Sequence, residues 1–209
     1  PLLEKIQSPN DLNELSSDQL KRLANELREF LLFQVGQTGG HLAGGLGVKM
    51  AMPNREVIVL VGDGSYLMLN SELATSVMLG HKIIVVVLDN RGFSCINRLQ
   101  NATGNPSFNN LLKDCQSDDD GHPEVNFAQH AKSLGANSEK VESIQELASA
   151  LSRARLSSKS YLISLVTDSH KISPEGGCWW DVAVPEVSSN ADGDKIYQAY
   201  KKAKTKQPY

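Results

Sequence analysis

Three cysteines, Cys95, Cys115 and Cys178, are too few and too scattered for a disulfide framework, and none forms a Cys-x-x-Cys pair of the kind that holds zinc. No apolar run approaches the roughly 20 residues of a membrane span. The opening Pro1-Leu2-Leu3-Glu4 also lacks a secretion-signal pattern. Charge of one sign is scarce too, since 24 acidic and 21 basic residues leave a formal net charge of −3. The Lys-rich end, Lys195 to Lys206, is interrupted by apolar residues and reads as a solvated helix, so no basic face for nucleic acid forms. Neither Gly-x-Gly-x-x-Gly nor a Walker-type Lys-Ser/Thr occurs, which weighs against a nucleotide-binding domain. These absences point to a protein of the reducing cytoplasm that engages neither membrane nor nucleic acid. A chain that starts at Pro1 and not at Met reads as a fragment or a processed chain.

What is present is the material of one ordinary domain with extensions: 209 residues, 40% of them hydrophobic. Ser16 and Gln19 stand at capping-box spacing before Leu20, Leu23, Leu27 and Leu31, which predicts an amphipathic helix over about 17–34. A glycine-rich segment follows, from Gly36 through His41 to Gly44, Gly45 and Gly47, inside a helix-compatible stretch that ends at Pro53-Asn54. Glycines cost helix stability, so a close backbone approach is their expected reason.

Val57 to Val61 and Ile83 to Leu88 are unbroken apolar runs, read as parallel strands covered on both faces. Between them Asn70 is expected to cap a helix through Met78, with Gly80 as its stop. After a polar stretch come a helix at Phe127–Leu134, a short strand near Lys140-Val141, a helix at Ile144–Ala154 and a strand at Tyr161–Val166. This alternation predicts an α/β fold, a doubly wound and mostly parallel sheet with helices on both faces. The expected division is a helical extension over 1–40, the α/β domain over 41–168, and a loop-rich extension with a last helix over 169–209.

In such sheets ligands gather outside the carboxyl ends of the strands. Gly62-Asp63-Gly64-Ser65 lies at one such end, where the glycines are expected to permit a tight turn and bring N–H groups to a phosphate. Asn90 ends the neighbouring strand, 27 residues after Asp63. Asp63, Asn90 and the Gly92 carbonyl form a set of hard oxygen ligands, which suits Mg²⁺ when phosphates fill its remaining positions. His122 and His130 lack ligand spacing and are expected to be exposed. Cys95 is expected to be small and buried, and Trp179 and Trp180 to pack a subunit interface in preference to a substrate pocket.

Gly-Asp-Gly followed after about 25–30 residues by Asn, with both at strand ends, resembles the signature of thiamine diphosphate-dependent enzymes. The resemblance implies the diphosphate-binding domain, with Mg²⁺ held by Asp63, Asn90 and Gly92, and with Thr38, Gly39, Gly62, Asp63, Gly64, Ser65, Asn90, Gly92 and Phe93 at the cofactor. Residues from about 41 to 206 are similar to the trihydroxycyclohexanedione hydrolases of inositol breakdown. That similarity rests on Ala43 to Ala51, Gly62 to Leu79, Val85 to Gln100 and Gly177 to Glu186. The hydrolases cleave a carbon–carbon bond of a cyclic dione with water. The first forty residues resemble a different branch, the deoxyxylulose phosphate synthases, through Ser8-Pro9, Glu26-Leu27-Arg28 and Gly40-His41. In that branch the His of the Gly-His pair lies in the active site, which makes His41 the catalytic candidate. The chain therefore reads as a composite of the two. Thr38 stands where the hydrolases carry a bulky apolar residue that supports the bent cofactor.

The family's activating glutamate comes from a separate pyrimidine-binding domain, and no second α/β domain is evident here. The expected function is the diphosphate- and Mg²⁺-binding half of a lyase or hydrolase, incomplete alone, dependent on that domain as a partner and acting within a homo-oligomer. The alternatives are a transferase like the synthases, or a cofactor-binding module that dimerises without catalysis.

Overall fold

The computed structural model describes residues 15–22, 40–115, 124–171, 183–188 and 191–206. Residues 17–22 are helical (α1) and open with the expected reciprocal cap: Gln19 N donates to Ser16 Oγ (3.3 Å) and Ser16 N to Gln19 Oε1 (2.9 Å). The rest of the helix expected to residue 34 lies outside the described residues, as do Thr38, Gly39, His122, Trp179 and Trp180.

The remaining elements are α2 (Gly40–Ala51), β1 (Ile58–Gly62), α3 (Asp63–Met68), α4 (Ser71–Met78), β2 (Ile84–Asp89), α5 (Ser94–Ala102), α6 (Phe127–Ser133), β3 (Asn137–Val141), α7 (Ile144–Leu156), β4 (Tyr161–Val166) and α8 (Gly193–Lys204). All four strands are parallel, in the order β1-β2-β4-β3. β2 lies between two neighbours and is buried on both faces, which is why it reads Ile-Val-Val-Val-Leu without alternation. β1 is paired only to β2 among the described residues and does alternate, with Leu60 turned outward.

Two apolar layers flank the sheet. One unites Leu42 of α2, Leu73 of α4 and Phe127 and Ala131 of α6 with Val59, Val61, Val85, Val87 and Leu162. The other joins Ala150 and Ala154 of α7 to Ile84, Val141 and Ile163. Helices therefore cover both faces, and each fully buried Leu, Ile or Val contributes about 1.5–3 kcal/mol.

Among the described residues of the glycine segment, the expected close approach occurs at one position. A Cβ on Gly45 would stand 2.4 Å from Val59 Cγ2, so α2 can lie against β1 only with glycine there, whereas Gly40, Gly44 and Gly47 face open space. Gly80 ends α4 with a φ of +69°, as expected. Asn70 precedes that helix without capping it: its amide donates to Leu67 O at 3.0 Å and its own backbone is already helical. No helix among the described residues is long and apolar enough to cross a membrane.

Candidate metal and diphosphate site

β1 and β2 end side by side, with Gly62 paired to Leu88, so the residues that follow each strand meet at one edge of the sheet. Gly62-Asp63-Gly64 is not the tight turn the sequence suggested. Gly62 caps α3 with an ordinary φ of −71°, and Asp63 and Gly64 are its first helical residues. Gly64 is required for space, because a Cβ there would stand 2.6 Å from the Phe93 ring. The left-handed backbone lies instead after β2, at Arg91 (φ 63°) and Gly92 (φ 133°). A Cβ on Gly92 would meet Asn110 O at 2.5 Å, since the 91–93 loop is pinned to residues 110–112 by Phe93 N to Asn110 O (2.7 Å) and Leu112 N to Arg91 O (3.0 Å).

This loop is turned onto Asp63, which is only 5% exposed. Gly92 N donates to Asp63 Oδ2 at 2.7 Å. With its nitrogen inward, the Asn90 amide reaches Gly92 O (2.6 Å), Asp63 Oδ1 (3.1 Å) and Ser94 Oγ (3.1 Å). An NH₂ group has two protons, so three oxygens around it cannot all be served. With the amide oxygen inward, Asn90 Oδ1 stands beside Asp63 Oδ1 and Gly92 O with no amide proton between them, an arrangement that a bound cation or a proton on Asp63 stabilises. Oxygens bound to octahedral Mg²⁺ at about 2.1 Å lie about 3 Å from each other; the Asn90–Asp63 spacing of 3.1 Å is of that size, and the Asn90–Gly92 spacing of 2.6 Å is shorter. The donor set of one carboxylate, one amide and one carbonyl therefore fits Mg²⁺ whose other positions go to phosphate or water. Among the described residues no group of three or more His, Cys, Asp or Glu offers a rival metal site.

Burial raises the Asp63 pKa above the ordinary carboxyl value. The Gly92 N–H opposes that shift, the nearby Asp89 charge adds to it, and the N–H groups of Gly64 and Asn90 oppose it again. Asp89, 8% exposed, is partly answered by Arg91, whose N–H donates to Oδ1 (3.1 Å) and whose Nε lies 3.6 Å from Oδ2. Arg91 also reaches Glu124 at 3.2 Å. Asp63, Gly64, Asp89, Gly92 and Phe93 border a cavity of about 240 Å³ whose far walls are apolar, among them Leu67, Leu111 and Phe127.

Of the residues singled out from sequence, Asp63, Gly64, Asn90, Gly92 and Phe93 are brought together, and Ser65 is half-buried in the first turn of α3. His41 is not among the residues bordering that cavity. It lies in the first turn of α2, its Nδ1 buried without a hydrogen-bond partner among the described residues and its pKa lowered by burial. Two expectations about exposure reverse. His130 is half-buried, accepting or donating a 2.9 Å hydrogen bond with the fully buried Tyr66 hydroxyl through Nδ1, and Cys95 is exposed on α5. Sequence reasoning missed Ser94, which is 3% exposed and touches the Asn90 amide; the signal was its spacing of one helical turn from Asn90.

Residues 16–165 match the family described as thiamine pyrophosphate enzyme, C-terminal TPP binding domain. The chain is 40% identical over 164 residues to 3D-(3,5/4)-trihydroxycyclohexane-1,2-dione hydrolase of Bacillus licheniformis, covering 78% of this chain and 25% of that protein. It is 38% identical over 164 residues to the protein of the same name in Bacillus subtilis, again covering 78% and 25%. The chain thus spans about a quarter of the length of the curated relatives it matches. Among solved structures, a thiamine diphosphate-dependent 4-hydroxybenzoylformate decarboxylase of Rhodococcus jostii RHA1 shares the fold. Its TM-score is 0.51 and its sequence identity 21%, over 63% of this chain and 23% of that one. With the family matched over most of its length and a parallel sheet of the same fold, the chain belongs to the thiamine pyrophosphate enzymes, as their C-terminal TPP-binding domain.

Proposed function

We propose that this chain is the diphosphate- and Mg²⁺-binding half of a thiamine diphosphate-dependent enzyme that cleaves a carbon–carbon bond. In this reading it is most like the trihydroxycyclohexanedione hydrolases of myo-inositol degradation, to which it is about 40% identical. The observation that carries the reading is the convergence of Asp63, Asn90 and the Gly92 carbonyl at the ends of β1 and β2. When bound, thiamine diphosphate supplies a nucleophilic carbon that adds to a carbonyl and accepts the electrons of the breaking bond.

The residues of this chain position the unreactive end of that cofactor. Gly92 N–H occupies Asp63 Oδ2, which leaves Oδ1 as the oxygen that would hold the ion. Asn90 would present its amide oxygen and Gly92 its carbonyl, so that the three would hold the cation, with Asp63 offsetting one of its two charges and the diphosphate the rest. Phe93, packed on Gly64, locks the loop after β2 against the first turn of α3, where Gly62 and Ser65 complete the cofactor-binding set. His41, whose Nδ1 has no partner among the described residues, remains the candidate catalytic imidazole. Thr38 and Gly39 belong to the cofactor's reactive end, which a pyrimidine-binding domain completes with its activating glutamate. We place this assembly in the cytoplasm as a homo-oligomer.

Calorimetric titration of the chain with thiamine diphosphate, with and without Mg²⁺ and against ATP, tests the reading. Mg²⁺-dependent binding of thiamine diphosphate alone is expected, and Asp63→Ala should abolish it while leaving the circular dichroism spectrum intact. Equal affinity in the Asp63→Ala chain would overturn the metal assignment, and steady turnover by the chain alone would overturn its dependence on a second domain.

A further inference from the structure

Asn90 can hold a cation only with its amide oxygen inward, yet without one the amide prefers its nitrogen inward, toward Gly92 O and Asp63 Oδ1. An amide that must turn over needs a neighbour able to pair with either end of it. Arg and Lys only donate, and a carboxylate only accepts, but a hydroxyl does both. The hydroxyl of Ser94 is placed for this. It is 3% exposed, its Oγ lies 3.1 Å from the inward end of the Asn90 amide, and it also lies 3.3 Å from Asn90 O, to which it donates.

We propose that Ser94 is the positioning residue of the cation site, holding the Asn90 amide with its oxygen toward the ion. With nitrogen inward, Ser94 Oγ accepts from the amide while its proton goes to the Asn90 backbone carbonyl. With oxygen inward, the hydroxyl rotates, gives its proton to Asn90 Oδ1 and leaves that oxygen's other lone pair for the cation. The backbone sets this geometry: Ser94 opens α5 one turn after Asn90, and α5 buries Ser94 and Asn97 while exposing Ile96 and Leu99. Of this buried polar face, Ser94 turns to the site.

The inference rests on the proposed cofactor-binding function, and the test separates the two. The 209-residue chain and its Ser94→Ala and Ser94→Thr variants are titrated with Mg²⁺ at fixed thiamine diphosphate, and thermal unfolding is recorded without metal. Ser94→Ala should weaken Mg²⁺-dependent binding about tenfold or more, the range typical of groups that orient a metal ligand. Ser94→Thr, which keeps the hydroxyl, should restore most of it, and neither change should move the unfolding midpoint in parallel with affinity. Unchanged affinity in Ser94→Ala, or equal losses in both variants, would overturn the role of Ser94 and leave the cofactor reading standing. Absence of Mg²⁺-dependent binding in the unaltered chain would overturn the cofactor reading and this one with it.

Discussion

Gly64 sits inside α3 with helical neighbours, so alanine there would ordinarily stabilise the chain by about 1 kcal/mol through helix propensity. The structure reverses the sign. An added Cβ would stand 2.6, 2.8 and 2.9 Å from three atoms of the Phe93 ring, and overpacking of that kind costs about 1–3 kcal/mol. The ring cannot retreat freely, because Phe93 N is bonded to Asn110 O and Gly92 N to Asp63. Gly64→Ala should therefore destabilise by up to about 2 kcal/mol in the native background. In a Phe93→Ala background the clash is gone and the same change should stabilise by about 1 kcal/mol. Urea unfolding of the four proteins, followed by circular dichroism, gives a coupling energy of about 1–3 kcal/mol. Additive effects, with Gly64→Ala equally harmful in both backgrounds, would refute the argument that the ring is what keeps position 64 bare.

Gly45→Ala, whose Cβ would meet Val59 Cγ2 at 2.4 Å, should destabilise by about 1–3 kcal/mol, whereas Gly44→Ala in the same helix, facing open space, should stabilise by up to about 1 kcal/mol; denaturation midpoints of the two variants should move in opposite directions. His130→Ala leaves the Tyr66 hydroxyl buried and without its partner, which should cost about 1–3 kcal/mol in thermal unfolding, and adding Tyr66→Phe should recover part of the loss. Cation binding needs the Asp63 carboxylate, whose pKa burial raises, so Mg²⁺ affinity should fade as pH falls through that raised value, above the range of an exposed aspartate. For the metal-free fold the sign is opposite: the stability linked to Asp63 is present below the unfolded-state pKa and lost as pH rises through the raised one, and calorimetry and unfolding across the acidic range should show the two trends crossing.

β1 and β2 are legible because each is an apolar run, though only β2 is buried on both faces, and α4, α6, α7 and α8 because each has a start signal, a stop signal or an apolar period. α3 is not legible as a helix, since its six residues, Asp63 to Met68, are too few to display a period and its cap and first turn spell Gly-Asp-Gly. α5 escaped notice because it inverts the usual rule, burying Ser94 and Asn97 and exposing Ile96 and Leu99. Asp63, Asn90 and Gly92 could be matched through a motif and a spacing. The hydrogen bond of Gly92 to Asp63 and that of His130 to Tyr66 join residues 29 and 64 positions apart, and no local pattern announces such pairs.

Asp63 follows β1 and Asp89 ends the adjacent β2, both are nearly excluded from water, and the Asp89 charge makes Asp63 harder to ionise. Arg91 answers only one of them directly. The domain therefore carries a patch of electrostatic frustration at Asp63 that the surrounding backbone N–H groups relieve only in part. Replacing Asp63 with asparagine should give a sturdier chain that has lost the carboxylate. A screen of variants scored only for heat resistance would drift toward that replacement, so selection for robustness in this domain has to be paired with selection for what it holds.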